Sequence, residues 1–276
     1  MIGRGELTQE EKMSLFLERE KEMVVGIDLY DGLKIRRISK EDLEDLNSSF
    51  LSTPSHIKLP SVKFVLEKSI TVKGEYDFQL DQIMRIAVLA LRLLKDGYVS
   101  GNLVFQILVS EKRQLESSSW EEEGQRPEYF GFNYALNFDE IPALKNLLEK
   151  LQGIDFNKRK DLHLACKRFQ RAYEEANFED QLVDHMIAFE ALFLKGEKAK
   201  SPTGEIIAVA CSILLGKNEE EREETRQFLT EAYSIRNQIV HGSEYRKARV
   251  DKEYEMSEFV SKIEDYLRES IKKLLD

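Results

Sequence analysis

The stretch "AYSIRNQIVHG" (232–242) sets Arg236, followed directly by Asn237, four intervening residues ahead of His241, with Gly242 behind it. These residue types suit phosphate esters. An imidazole trades protons near neutral pH, with a ribose 2′-hydroxyl or a leaving oxygen among its natural partners. A guanidinium holds a phosphate through its fork of N–H groups and stabilises the charge that develops on it. Asn237 adds one more hydrogen bond. Each residue also has a structural use. A histidine in a last helical turn before a glycine caps the negative end of the dipole, and an arginine among apolar residues can be half of an ion pair that sets helix register.

The elements that would position them are amphipathic helices. At about 100° per residue, Phe228, Leu229, Ala232, Tyr233, Ile235, Ile239 and Val240 share one arc, and Arg236 lies in the middle of it. His241 and Asn237 fall outside it. The earlier segment "QLVDHMIAFEALFL" builds a similar arc from Leu182, Val183, Met186, Ile187, Phe189, Phe193 and Leu194, with Glu190 at its centre. An unpaired charge on a buried face is prohibitively costly. Glu190 and Arg236 are therefore expected to meet where the two helices pack, or to share a polar cleft. Such a pair leaves function open, because a carboxylate that orients an arginine is an ordinary supporting arrangement. Arg236 and His241 sit about 140° apart around one helix. For both to serve one site, a second copy of the helix must converge on it, as in a two-fold dimer.

Further from the motif, the first half mixes strand and helix signals. Asp31-Gly32 separates two β-prone runs in "MVVGIDLYDGLKIRRI", a hairpin signal. "KFVLEKSITVKG" and "NLVFQILVS" read as strands. So does "YFGFNYALNF", where Phe130, Phe132, Tyr134, Leu136 and Phe138 recur every second residue. "LDQIMRIAVLALRLLKDG" reads as a helix closed by Gly97, and "LESSSWEEEGQRPE", with the single Trp120, as an exposed loop. From about residue 141 strand signals stop and six helical patterns follow: "IPALKNLLEKLQ", "DLHLACKRFQRAYEEAN", "EDQLVDHMIAFEALFL", "GEIIAVACSILLG", "EEEREETRQFLTEAYSIRNQIVH" and "EYEMSEFVSKIEDYLRESIKKLL". The expected fold class is an α+β domain over residues 1–150 followed by an all-α helical bundle over residues 151–276.

A net charge of −10, acidic in both halves of the chain, offers no global field for nucleic acid. Any such contact must be local, and Arg236, Arg246, Lys247, Arg249 and Lys252 outnumber Glu244 and Asp251 beside the motif. That basic stretch could grip phosphates or form a solvated loop. Cys166 and Cys211 lack metal-ligand spacing and read as buried thiols in a reducing compartment. The N-terminal "MIGRGELTQEEKMS" has no apolar signal core. "IAVLALRLL" contains Arg92 and falls short of the roughly 20 residues of a membrane span. The expected location is the cytoplasm, without membrane contact. No metal spacing or glycine-rich phosphate loop points to a cofactor.

"RNQIVH" resembles the signature of HEPN domains. "FEDQLVDHMIAFEALFLKGE" followed by "IIAVACSILLGKNEEEREETRQFLTEAYSIRNQIVHG" is similar to the Apea-like branch, over roughly residues 160–245. That branch carries an acid on an earlier helix, an alanine-rich helix ending in Leu-Leu-Gly, and a closing Arg-polar-x-x-Val-His-Gly. The resemblance implies a HEPN-like helical bundle that forms a homodimer, and a metal-independent endoribonuclease used as a toxin or in phage defence, with a composite Arg/His cleft. It implies catalytic roles for Arg236, Asn237 and His241, with Glu190 as the helix acid. The basic Arg246, Lys247 and Arg249 are candidates for gripping the RNA substrate. An antitoxin or defence-system partner is the further expectation. The chain departs from the branch in "SPTGEIIAVACSILLG": Glu205 stands in for the usual acid, and the usual arginine is absent. The alternative expectation is therefore a catalytically silent HEPN dimer serving as a binding or sensing module.

Overall fold

The Asp31-Gly32 pair turns the chain in the way its sequence implies. In the computed structural model both residues have positive φ, 45° and 74°, the backbone of a two-residue hairpin loop that matches strand twist. The structure describes residues 26–42, 64–68, 78–97, 99, 106–108, 114–116, 134–194, 202–242 and 253–276. These belong to two compact units, each described below by itself. One takes Met1–Ala87, Gly101–Glu121 and Leu136–Leu148; the other takes Val88–Ser100, Glu122–Ala135 and Glu149–Asp276.

In the first unit, β1 (Ile27–Tyr30) and β2 (Leu33–Arg37) pair antiparallel, Ile27 opposite Ile35. β3 (Phe64–Glu67) adds to the other edge of β2, Ile35 opposite Leu66. Leu29, Leu33 and Ile35 are buried, so the alternating pattern sets which face is covered. Lys68 closes the sheet's turn end on the Asp31 carboxylate at 2.7 Å. β4 (Gln106–Leu108) and β5 (Gln114–Glu116) form a separate antiparallel pair. Leu115 and Glu116, expected to open an exposed loop, are instead strand residues, because pairing with β4 satisfies their backbone. Trp120 lies outside the described residues.

The strand expected at "YFGFNYALNF" needs a second correction. Phe130 and Phe132 lie outside the described residues, and Tyr134–Asn137 join no sheet. The alternation survives as burial: Tyr134, Leu136 and Phe138 are half-buried, Ala135 and Asn137 exposed. Periodicity reports the covered face, but a strand also needs a neighbour for its backbone. Here Lys95 takes the Ala135 carbonyl instead, and the Tyr134 hydroxyl donates to the Leu91 carbonyl at 2.9 Å.

The helices follow their sequence patterns closely. The longer α-helices among the described residues are α1 (Phe78–Leu94), α2 (Ile141–Gly153), α3 (Lys160–Glu174), α4 (Phe178–Phe193), α5 (Thr203–Leu215), α6 (Glu219–Val240) and α7 (Glu253–Leu274). Asparagines start two of them. Asn177 and Asn218 accept backbone N–H groups of Glu179 and Glu221, each at 2.8 Å, satisfying donors that the first turn leaves free. In the second unit α4 is the hub, packed against α3, α5, α6 and α7. Its Leu182, Met186, Ala188, Phe189 and Leu192 are buried, and buried positions occur around most of its circumference, which suits a central helix.

That unit also buries charge. Arg92, Glu264 and Arg268 are each at most 3% exposed. Arg268 pairs with Glu264, donates to the Tyr173 hydroxyl at 3.1 Å and donates through Nε to the Arg92 carbonyl at 2.9 Å. Tyr173 donates to Glu264 at 2.6 Å, and the Arg92 guanidinium lies 4.8 Å from the centre of the Tyr173 ring. The arginine that breaks "IAVLALRLL" is thus part of a hydrogen-bonded core network. None of the described helices is long and apolar enough to cross a membrane.

Candidate functional site

The cluster is assembled by three helices of the second unit. α4 presents Glu190 near its C-terminal end, α6 presents Tyr233, Arg236 and Asn237, and the first turn of α5 brings Thr203 to the Tyr233 hydroxyl and Gly204 to its ring. Tyr233 and Arg236 are three residues apart, so they share one face of α6.

Glu190 and Arg236 meet, with Arg236 Nη2 3.4 Å from Glu190 Oε1. The same oxygen accepts the Tyr233 hydroxyl at 3.1 Å. Arg236 Nη1 donates to Asn237 Oδ1 at 3.1 Å, and its guanidinium carbon lies 5.5 Å from the centre of the Tyr233 ring. Arg236 Nε is buried with no acceptor among the described residues. The side chains are 18% and 26% exposed for arginine and glutamate, so the pair is half-buried and lies outside the core. Burial raises the Tyr233 phenol above its ordinary value, the Glu190 charge adds to the rise, and Thr203 opposes it. The phenol therefore stays protonated at neutral pH and remains a donor to Glu190.

The helical-wheel arc is only partly covered, which corrects the expectation of one continuous buried face. On α6, Thr225, Leu229 and Ala232 are buried. Ile235 and Ile239 are half-buried, and Val240 is 52% exposed. The reason is length. α5 runs antiparallel to α6 and begins beside Tyr233, where Gly204 touches the ring. Beyond that point α6 continues for two turns past the described end of its hairpin partner. Arg236 lies on the first of these turns, at the rim of the packed region, where a charge is affordable.

His241 does not join the cluster within one chain. It is exposed at the C-cap of α6, where its backbone N–H donates to the Asn237 carbonyl at 3.0 Å. Gly242 follows with φ +63° and donates to the Ile239 carbonyl at 3.1 Å, a left-handed C-terminal cap. Arg236 and His241 share no hydrogen bond, and they stand about one and a half turns apart. Glu205 is exposed in the first turn of α5. Arg246, Lys247 and Arg249 lie outside the described residues.

Two participants escape a reading by residue type alone. Tyr233 looks like a member of the apolar arc, yet its hydroxyl needs a partner once half-buried. Gly204 is a helix residue with no propensity reason to be glycine. A Cβ placed there would come within 2.6 Å of Tyr233 Cδ1 and 2.8 Å of its Cγ. Both cysteines are buried and free, as their sequence context implies, and burial pushes each thiol up to about 12. Among the described residues no group of three or more His, Cys, Asp or Glu is placed to hold a metal ion. Comparison with protein-family models, with curated proteins and with solved structures returns no match to this chain.

Proposed function

We propose that this chain is a metal-independent endoribonuclease of HEPN type, acting as a toxin or phage-defence effector, with a composite Arg/His site at a homodimer interface. The observation that carries this reading is the Arg236 guanidinium. It is half-buried at the rim of the packed helices, 18% exposed, and held by Glu190 and Asn237. A partly exposed guanidinium at the rim of a packed core suits an oxyanion. In this reading Arg236 holds the scissile phosphate, Asn237 adds a hydrogen bond, Glu190 orients the arginine, and Arg246, Lys247 and Arg249 grip flanking phosphates. The ribose 2′-oxygen attacks phosphorus as a base takes its proton. The bond from phosphorus to the 5′-oxygen breaks, and that oxygen receives a proton from an acid. His241 serves as base or acid. The products carry a 2′,3′-cyclic phosphate and a free 5′-hydroxyl. The separation of His241 from Arg236 along one helix supports a second copy as the source of the other half of the site.

Incubating the purified protein with mixed RNA in excess chelator tests the reading. The expected result is cleavage with cyclic-phosphate ends that disappears in His241→Ala. Equal background cleavage by both proteins defeats it. A binding module without turnover is the second reading. Arg236 already has partners in its own chain, and the arginine of the Apea-like branch is missing from α5; both favour it. It expects stable RNA or protein binding that His241→Ala leaves unchanged. Growth arrest on expression, relieved by that substitution, argues against it.

A further inference from the structure

Glu190 Oε1 is asked to serve two donors, and the sharing has a consequence for Arg236. The phenol lies closer to that oxygen, at 3.1 Å, than the guanidinium, at 3.4 Å. An unhindered arginine–carboxylate pair closes to about 2.7–2.9 Å, often with two parallel bonds. Here it does neither. The ring that carries the phenol is held in place by its surroundings. Gly204 lies against it so closely that a Cβ would overlap the Cδ1 and Cγ atoms, and the guanidinium sits over its face.

We infer that Tyr233 is a positioning residue for Arg236: its hydroxyl occupies Glu190 so that the carboxylate steers the guanidinium without closing on it, leaving the fork able to take a phosphate oxygen. Gly204 is the companion feature, because only a residue without a Cβ lets the ring stand there. The inference deepens the nuclease reading and rests on it for the identity of the anion. The internal arrangement of phenol, carboxylate and guanidinium does not depend on that identity.

Two measurements separate the two claims. The first needs no RNA. The Arg236 Nε–Hε resonance, assigned by its absence in Arg236→Met, reports the surroundings of the guanidinium. Tyr233→Phe keeps the ring and removes only the hydroxyl, so Glu190 is free to close on the arginine, and the resonance is expected to move. An unmoved resonance overturns the inference whatever the protein binds. The second measurement is binding of a short fluorescent single-stranded oligoribonucleotide in excess chelator, with His241→Ala in every protein to prevent turnover. Tyr233→Phe is expected to weaken binding by about tenfold to a hundredfold, the loss of roughly one charge-assisted hydrogen bond, at an unchanged melting temperature. Adding Glu190→Gln to Tyr233→Phe is expected to restore binding, since a neutral amide no longer sequesters the arginine. Equal weakness of the single and double variants overturns the inference, as does full-strength binding by Tyr233→Phe. If the parent protein and Arg236→Met bind the oligoribonucleotide alike, the RNA reading fails, and the resonance alone then decides the role of Tyr233.

Discussion

Arg236 is held by one shared oxygen, one amide and one ring face, and this sets what its removal should cost. A fully buried pair broken on one side loses about 3–5 kcal/mol, and an exposed pair loses at most about 1 kcal/mol. At 18% and 26% exposure, Glu190→Met or Arg236→Met should cost roughly 1–3 kcal/mol each, between those limits. The double variant should recover much of that loss, because it strands no charge. Denaturant unfolding of the two single variants and the double variant measures the coupling directly. Additive losses would show that the contact contributes nothing to stability. Restored stability together with restored RNA cleavage would place the active centre elsewhere.

The α5–α6 hairpin shows how one glycine can set the geometry of a whole element. Alanine is the better helix residue by about 1 kcal/mol, yet at position 204 its methyl group would overlap Tyr233. Overpacking of this kind costs about 1–3 kcal/mol, which outweighs the propensity gain. Gly204→Ala should therefore lower the unfolding midpoint. In a Tyr233→Ala background the same substitution should be neutral or stabilising, because the obstructing ring is gone. Equal destabilisation in both backgrounds would show that the cost comes from the α5 backbone and not from the ring. The same element explains why α6 carries both a buried and a half-exposed stretch. Its first turns lie along α5, and its last turns pass beyond the start of that helix.

Across the second unit, charge is placed at two depths. Arg236 sits at the rim; Arg268 sits inside, at 2% exposure, bonded to Glu264, Tyr173 and the Arg92 carbonyl. Burial by itself would lower the Arg268 pKa, but Tyr173 and Glu264 outweigh it and raise the guanidinium above its ordinary value. The cation is thus held firmly by its partners. Arg268→Met should cost about 3–5 kcal/mol, since it leaves the Glu264 carboxylate buried without its cation. This should exceed the loss for Arg236→Met measured in the same urea series. If the order is reversed, the deep network is not what holds α3, α7 and the end of α1 together.

Much of this is legible in the amino-acid sequence alone. Helix order and helix limits are local properties of period and cap. Gly242 marks a helix end that the structure keeps, and Asp31-Gly32 marks its turn; the caps at Asn177 and Asn218 came from the structure. The meeting of Glu190 and Arg236 was also legible, because two opposite charges in the same phase of two apolar faces have few other acceptable arrangements. Tertiary structure alone decided the rest. Whether Tyr134–Asn137 becomes a strand depends on a hydrogen-bonded neighbour, which no period encodes. Whether Ile239 and Val240 are covered depends on where a different helix begins. The partner of the Tyr233 hydroxyl, and the depth at which Arg92 and Arg268 sit, depend on elements distant in the chain. A sequence pattern states which face of a helix prefers to be covered; only packing determines how far along that helix the cover extends.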